Sequence, residues 1–319
     1  MKDTAIQVNN LKKQFEKTHA LSSVSFGIGK GEMFGLIGPD GAGKTTLIRI
    51  LTSLLDPDEG ECFLFDISVQ ENPSRVRNMI GYMPQRFSLY PDLTVGENLR
   101  FFADLFNVSK NERTRKTEDL LEFSRLKPFI KRKAGDLSGG MKQKLALSCA
   151  LIHTPDILVL DEPTTGVDPV SRREFWSILT MLKNDGVTIL VTTPYMDEAE
   201  RCDRVALIHH GEILAMGSSS ELIETFSGAV FSIFGPDLVG LSVWFKKELR
   251  SDQVRIMGDR VKLNLLSSKE IRIDTLVENA KASGQTIHSF DREVPELEDT
   301  FITLISEKEK ANAPNSLSG

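Results

Sequence analysis

Features that would place this sequence outside a reducing, aqueous compartment are scarce. Its 319 residues include three cysteines, Cys62, Cys149 and Cys202. They are scattered without metal-ligand spacing, so a disulfide scaffold and a zinc cluster are both excluded, and each thiol reads as a small packed side chain. No window of about 18 apolar residues exists, so no segment is expected to span a membrane. Residues 1–5 are followed by no apolar export segment. There is no basic stripe with interleaved aromatics, and the net charge is −6, so no nucleic-acid partner is expected. What remains is ordinary for a globular chain, 40% apolar and 26% charged. The length suits one large domain with a small one, or two domains.

One stretch organises the rest: Gly38-Pro39-Asp40-Gly41-Ala42-Gly43-Lys44-Thr45-Thr46. An apolar run at 33–37 reads as a buried strand before it, and the spacing at 46–51 reads as a helix after it. That context is what a G-x-x-x-x-G-K-[ST] phosphate loop requires. Its glycines let successive backbone N–H groups turn inward around phosphate oxygens, and the helix N-terminus adds its positive end. Lys44 is expected to reach the β- and γ-phosphates, and the Thr45 hydroxyl to ligate Mg²⁺.

Further along, Ile157-Leu158-Val159-Leu160-Asp161-Glu162 is an apolar strand ending in adjacent carboxylates. Uncompensated carboxylates there would be expensive, so a metal or its water is the expected partner. Asp161 fits the Mg²⁺-side carboxylate of phosphate-loop enzymes, and Glu162 the base that orients or deprotonates a water. Leu137-Ser138-Gly139-Gly140-Met141 opens a helix over 142–152. With Ser138 as N-cap and bare glycine backbone beside it, this is a second anion-binding feature, although taken alone a capped helix start is the simpler reading. Phe15 stands in a lysine-bearing loop, either stacked on a nucleotide base or tucked into its own core. His209 and His210 have no third ligand nearby and read as an exposed turn.

Between these points the chain alternates strands and helices. Strands are expected at 6–11, 21–28, 61–65, 79–85, 187–191 and 205–208, with helices at 95–106, 111–126, 171–183 and 196–202. The run from about 86 to 153 is nearly all helical and reads as a subdomain inserted in an α/β core. Beyond 229 the order is strand, helix, a hairpin around Gly258-Asp259, helix over 271–282, and strand at 286–290. This β-α-β-β-α-β order is ferredoxin-like. A last helix is expected at about 295–307, followed by a disordered tail over 309–319.

Taken together, these residues closely resemble the ATPase subunit of an ABC transporter. The phosphate loop is at 38–46, a Q-loop glutamine at Gln85, and the signature Leu-Ser-Gly-Gly at 137–140. Walker B is at 157–162, and the D-loop Gly-Val-Asp-Pro is at 166–169. The resemblance covers residues 1 to about 225. It implies a P-loop α/β fold with an antiparallel β subdomain and the helical insertion, a 229–308 accessory or dimerisation domain, and ATP with Mg²⁺ as cofactors. It also implies a head-to-tail dimer, with ATP held between one copy's phosphate loop and the other's Ser138, Gly139 and Gly140, and makes D-loop Asp168 a further nucleotide-binding residue. Gln85 would sense metal and γ-phosphate, and Phe15 falls at the adenine-stacking position. Phe87, Tyr90 and the helix of Phe101 and Phe102 would form the groove that docks a membrane permease, leaving the chain peripheral on the inner face of the cell membrane. The segment from Pro295 to Phe301 resembles ATPase subunits of drug, polysaccharide and lipid exporters.

Three positions depart from that family pattern. Asp40 replaces an asparagine, Met141 a glutamine, and Pro194 the histidine that touches the γ-phosphate and attacking water. Proline offers neither a side-chain donor nor an N–H, so slow or partner-dependent hydrolysis is expected. The rival readings are an ATP-gated clamp with little hydrolysis and a soluble ABC protein unconnected to transport.

Overall fold

The computed structural model describes residues 4–86, 88–266 and 272–312. Phe87, the start of the helix expected at 271 and the end of the tail expected over 309–319 therefore lie outside the described residues. The chain divides into two units, Met1–Ser218 and Ser219–Gly319.

The first unit begins with β1 (Thr4–Phe15) and β2 (Thr18–Gly29), paired antiparallel with Phe15 opposite Thr18. The loop expected to carry Lys12, Lys13, Phe15 and His19 is therefore strand. Register shifts and left-handed φ angles at Asn10, Glu16 and Ser23 accommodate its irregular pattern. β3 (Met33–Ile37) is buried at every residue and runs through the phosphate loop into α1 (Lys44–Leu51). β4 (Glu59–Leu64) and β5 (Ile67–Ser68) complete an antiparallel sheet in the order β2-β1-β4-β5. Next come α2 (Pro73–Met79), absent from the sequence reading, and β6 (Ile80–Met83).

The mostly helical stretch holds α3 (Val95–Leu105), α4 (Lys110–Phe123) and α5 (Gly139–Leu151). Thr94 and Glu97 form a reciprocal capping box that starts α3. The side chain of Ser138 caps α5, so that helix begins at Gly139 rather than at Lys142. Then follow β7 (Ile157–Asp161), α6 (Pro169–Asn184), β8 (Thr188–Thr193), α7 (Met196–Ala199), β9 (Arg204–His209) and β10 (Glu212–Gly217). The six-stranded sheet has the order β10-β9-β3-β8-β7-β6. Its five inner pairings leave only β10 antiparallel. All five residues of β3 and of β7 are buried, as a parallel sheet covered on both faces requires. Among the described residues no helix is long and apolar enough to cross a membrane.

The second unit starts with α8 (Ser219–Glu224) and β11 (Gly228–Phe234), then α9 (Leu238–Glu248), β12 (Val254–Met257) and β13 (Arg260–Leu266). It ends with α10 (Ile273–Ala282), β14 (Ser289–Glu293) and α11 (Leu297–Asn312). Its antiparallel order β12-β13-β11-β14 is the ferredoxin-like arrangement. The last strand sits three residues later than the pattern placed it. The helix α11 runs to Asn312, so residues 309–312 are ordered helix rather than tail.

The two faces of β13 differ. Val261, Leu263 and Leu265 join Leu241, Phe245, Leu276 and Val277 in an apolar core. Lys262 and Asn264, on the other face, meet the start of α11. Lys262 Nζ lies 3.0 Å from Asp299 Oδ2, Asn264 Nδ2 donates to Asp299 at 3.2 Å, and Arg255 also pairs with Asp299. Burial works to raise the Asp299 carboxyl. The Glu296 N–H with Lys262 and Arg255 outweighs it and holds the group below the usual carboxylate range. Asp299→Ala should remove the one carboxylate shared by Lys262 and Arg255, which keep Glu296 and Glu298 respectively, and destabilise the second unit by about 1–3 kcal/mol. Trp244 fluorescence during denaturant unfolding checks this. In the wild type, the contribution is complete above the ordinary carboxylate pKa of about 4. It is lost as pH falls through the lower folded value.

Candidate active site

Parallel strands bring the expected residues to one edge of the sheet. The phosphate loop leaves the C-terminal end of β3, Asp161 closes β7, Thr192 and Thr193 close β8, and Gln85 follows β6. That edge is where open α/β sheets bind ligands. A pocket of about 270 Å³ opens there, lined by Asp40, Gly41, Gly43, Lys44, Thr45, Thr46, Gln85 and Glu162. Thr18 and Ala20 of β2 also line it. They were not singled out in the sequence, because nothing in an alternating strand marks which residues face a distant loop.

The loop's shape depends on Gly43, whose φ is +106°. A Cβ there would lie 2.4 Å from the Ala20 carbonyl oxygen, so strain and collision together select glycine. The β9–β10 turn braces the loop from behind. Gly211 N–H donates to the Ala42 carbonyl at 2.9 Å, and Ser22 N–H donates to the Gly211 carbonyl at 2.8 Å. The histidines of this turn have rings 4.1 Å apart, and only His210 is exposed; His209 is half-buried against the fold.

Lys44 is 4% exposed. Its Nζ donates to the carbonyls of Gly38 (2.8 Å) and Pro39 (3.0 Å) and pairs with Glu162 Oε1 at 2.9 Å. Gln85 Nε2 donates to the other Glu162 oxygen at 2.7 Å. Glu162 therefore bridges the two residues expected to meet phosphate and metal. Its backbone has φ +48°, an uncommon conformation for a side-chain-bearing residue, with the N–H donating to both Thr192 O and Thr192 Oγ1.

Asp161 lies one layer deeper. Thr192 Oγ1 donates to its Oδ1 at 2.8 Å. Burial pushes the carboxyl above its usual range against the pull of the Thr192 and Thr45 hydroxyls. Among the described residues its Oδ2 is buried with no partner of hydrogen-bonding geometry. A hydroxyl, an amide and an orphaned carboxylate oxygen converging at a phosphate loop fit a hard, oxygen-seeking cation such as Mg²⁺.

Other expected residues lie apart from this pocket. Ser138 Oγ accepts from Met141 N–H at 3.4 Å, and Gly140 packs so closely on α6 that a Cβ would come within 2.4 Å of the Ser171 side chain. Asp168 caps α6, accepting from Val170 N–H (3.1 Å) and Ser171 N–H (3.0 Å). Phe15 ends β1 at the hairpin tip, 43% exposed, with Lys13 Nζ 5.6 Å from its ring centre. It is not buried in a core of its own. Pro194 follows the last residue of β8.

The profile of the ABC transporter family matches residues 21–165. The chain is 41% identical to the probable multidrug ABC transporter ATP-binding protein YbhF of Escherichia coli over 98% of its own length, and spans 54% of that protein. It is 38% identical to the Nod factor export ATP-binding protein I of Burkholderia lata, over 94% of this chain and 96% of the relative. A solved structure of the ATP-binding cassette MJ0796, a dimer in a post-hydrolysis state bound to ADP and Pi, superposes with a TM-score of 0.61. That match is at 29% identity and covers 67% of this chain and 98% of the other.

Asp40 places an exposed carboxylate on the pocket wall, where it would face bound phosphates. Asp40→Asn should tighten nucleotide binding about threefold to tenfold at low salt. The gain should shrink as salt screens the charge. Titration with a fluorescent ATP analogue at two ionic strengths checks both parts.

Proposed function

Because the chain belongs to the ATP-binding proteins of the ABC transporter family, we propose that two copies bind Mg·ATP at shared sites and hydrolyse it. The cycle drives a separate membrane permease that exports a drug-like, lipid or polysaccharide substrate. The carrying observation is the pocket in which Lys44, Gln85 and Glu162 converge above Asp161 at the end of the parallel sheet. Export is supported by relatives named for multidrug transport and Nod factor export.

In this reading the loop amides and Lys44 hold the phosphates, with phosphate competing against the Glu162 carboxylate for the Lys44 ammonium. Thr45, Asp161 and Gln85 hold Mg²⁺, which would neutralise charge on the phosphate oxygens. Glu162 takes a proton from water as its oxygen attacks the γ-phosphorus, and the bond to the bridging oxygen breaks to release ADP and phosphate. Ser138, Gly139, Gly140 and Asp168 serve the partner's nucleotide, which accords with their position away from this chain's own pocket. Phe15, exposed at the hairpin tip, is offered to the adenine ring. The groove of Tyr90, Phe101 and Phe102 receives the permease, holding the chain at the inner face of the membrane.

Pro194 favours a slow cycle. Loss of one transition-state donor costs on the order of 10²–10³ in rate. The isolated chain should therefore turn over well below the enzyme median of roughly 10 s⁻¹ and accelerate with its co-expressed permease. Glu162→Gln should abolish hydrolysis and accumulate an ATP-bound dimer in size-exclusion chromatography with ATP and Mg²⁺. A variant that stays monomeric under these conditions, or wild type that takes up no nucleotide, would overturn the reading.

A further inference from the structure

Glu198 carries a buried charge that the proposed chemistry does not use. It is 1% exposed, in the four-residue helix α7. Its Oε1 accepts from Thr164 Oγ1 at 2.6 Å and from Arg172 Nε at 2.6 Å, and its Oε2 accepts from Thr193 Oγ1 at 2.5 Å. The donors come from three segments. Thr164 lies two residues beyond Glu162, Arg172 lies one turn into the helix that Asp168 caps, and Thr193 ends β8 beside Pro194. Besides Glu198, two further groups fix Arg172, since its Nη2 forks onto both Asp197 oxygens (2.9 and 3.0 Å) and its guanidinium lies 4.3 Å over the Tyr195 ring.

The arginine's helix also meets the signature helix. Ser171 fills the space that a Cβ on Gly140 would need, and Lys144 pairs with Glu174. The first two turns of α6 thus contact the start of α5 and also grip Glu198. A carboxylate buried this completely is costly to desolvate and stabilises little beyond what an apolar side chain of its size would. What it supplies is geometry, because each of its hydrogen bonds has one distance and one direction.

We propose that Glu198 is a positioning residue for ATP hydrolysis. Through Thr164, Arg172 and Thr193 it locks the loop of Glu162, the helix behind Asp168 and the end of β8 in one arrangement. The inference rests on the ATPase reading given above. None of the three donors lines the nucleotide pocket, so Glu198 acts on turnover and leaves nucleotide uptake alone. Position 194 has no donor with which to order the attacking water, so the orientation of Glu162 carries more of the rate, and the strut that fixes its loop matters accordingly.

The test is single-turnover ATP hydrolysis by the full chain, with and without its co-expressed permease, beside fluorescent-nucleotide titration and thermal unfolding. Glu198→Gln keeps the size and one acceptor but removes the charge. It should slow the chemical step about tenfold or more while nucleotide affinity stays within about twofold of wild type. Thr164→Val should slow it in the same way, and Thr164→Ser, which restores the donor, should recover it. A Glu198→Gln rate equal to wild type, or a loss that tracks nucleotide affinity or melting temperature, would overturn the proposal. Wild type that binds no nucleotide at all would instead refute the ATPase reading beneath it.

Discussion

A buried ion pair between Lys44 and Glu162 sets the terms for the rest of the first unit. Two charges this far from water are tolerable only when paired and hydrogen-bonded. The fold meets that demand from several directions. The phosphate loop turns two of its own carbonyls onto the ammonium, Gln85 reaches across from beyond β6, and Thr192 on β8 holds the glutamate backbone in its left-handed conformation. Each contact comes from the end of a different strand. The parallel sheet is therefore the device that brings them to one plane, and its fully buried β3 and β7 keep those ends from shifting.

The same physics recurs at two further buried carboxylates. Glu198 gathers three donors from three segments, and Asp299 in the second unit gathers Lys262, Arg255, Asn264 and a backbone N–H. Neither cluster is a good source of net stability against an apolar replacement. Both join separate segments, one behind the loop of Glu162 and one between a helix and the polar face of a sheet. Polar residues thus do the aligning, while the apolar clusters supply most of the driving force for folding.

The expected functional residues separate into two groups within one chain. Lys44, Thr45, Gln85, Asp161 and Glu162 converge, whereas Ser138, Gly139, Gly140 and Asp168 cluster at the starts of α5 and α6. In the proposed function these two groups would be the halves of sites completed between copies. Glu198 contacts Thr164, two residues beyond Glu162 of the first group, and Arg172, on the helix that Asp168 of the second group caps.

The phosphate loop, the carboxylates ending β7, the capped start of α5 and the order of elements along the second unit were legible in the sequence. Each depends on neighbours in the chain: a glycine pattern between strand and helix, an apolar run ending in acids, a serine before two glycines, and periodicity switching between two and 3.6. The strands at 6–11 and 21–28 were legible, but their continuation to the tip of the β1–β2 hairpin read as a loop because register shifts break the alternation there, and α2 gave too short a pattern to stand out. What only the tertiary structure decided was partnership. That Gln85 meets Glu162, that Ala20 forbids a side chain at residue 43, and that Glu198 holds Thr164, Arg172 and Thr193 together depend on segments far apart along the chain. The sheet's long-range strand order, which no local pattern encodes, is what makes them neighbours.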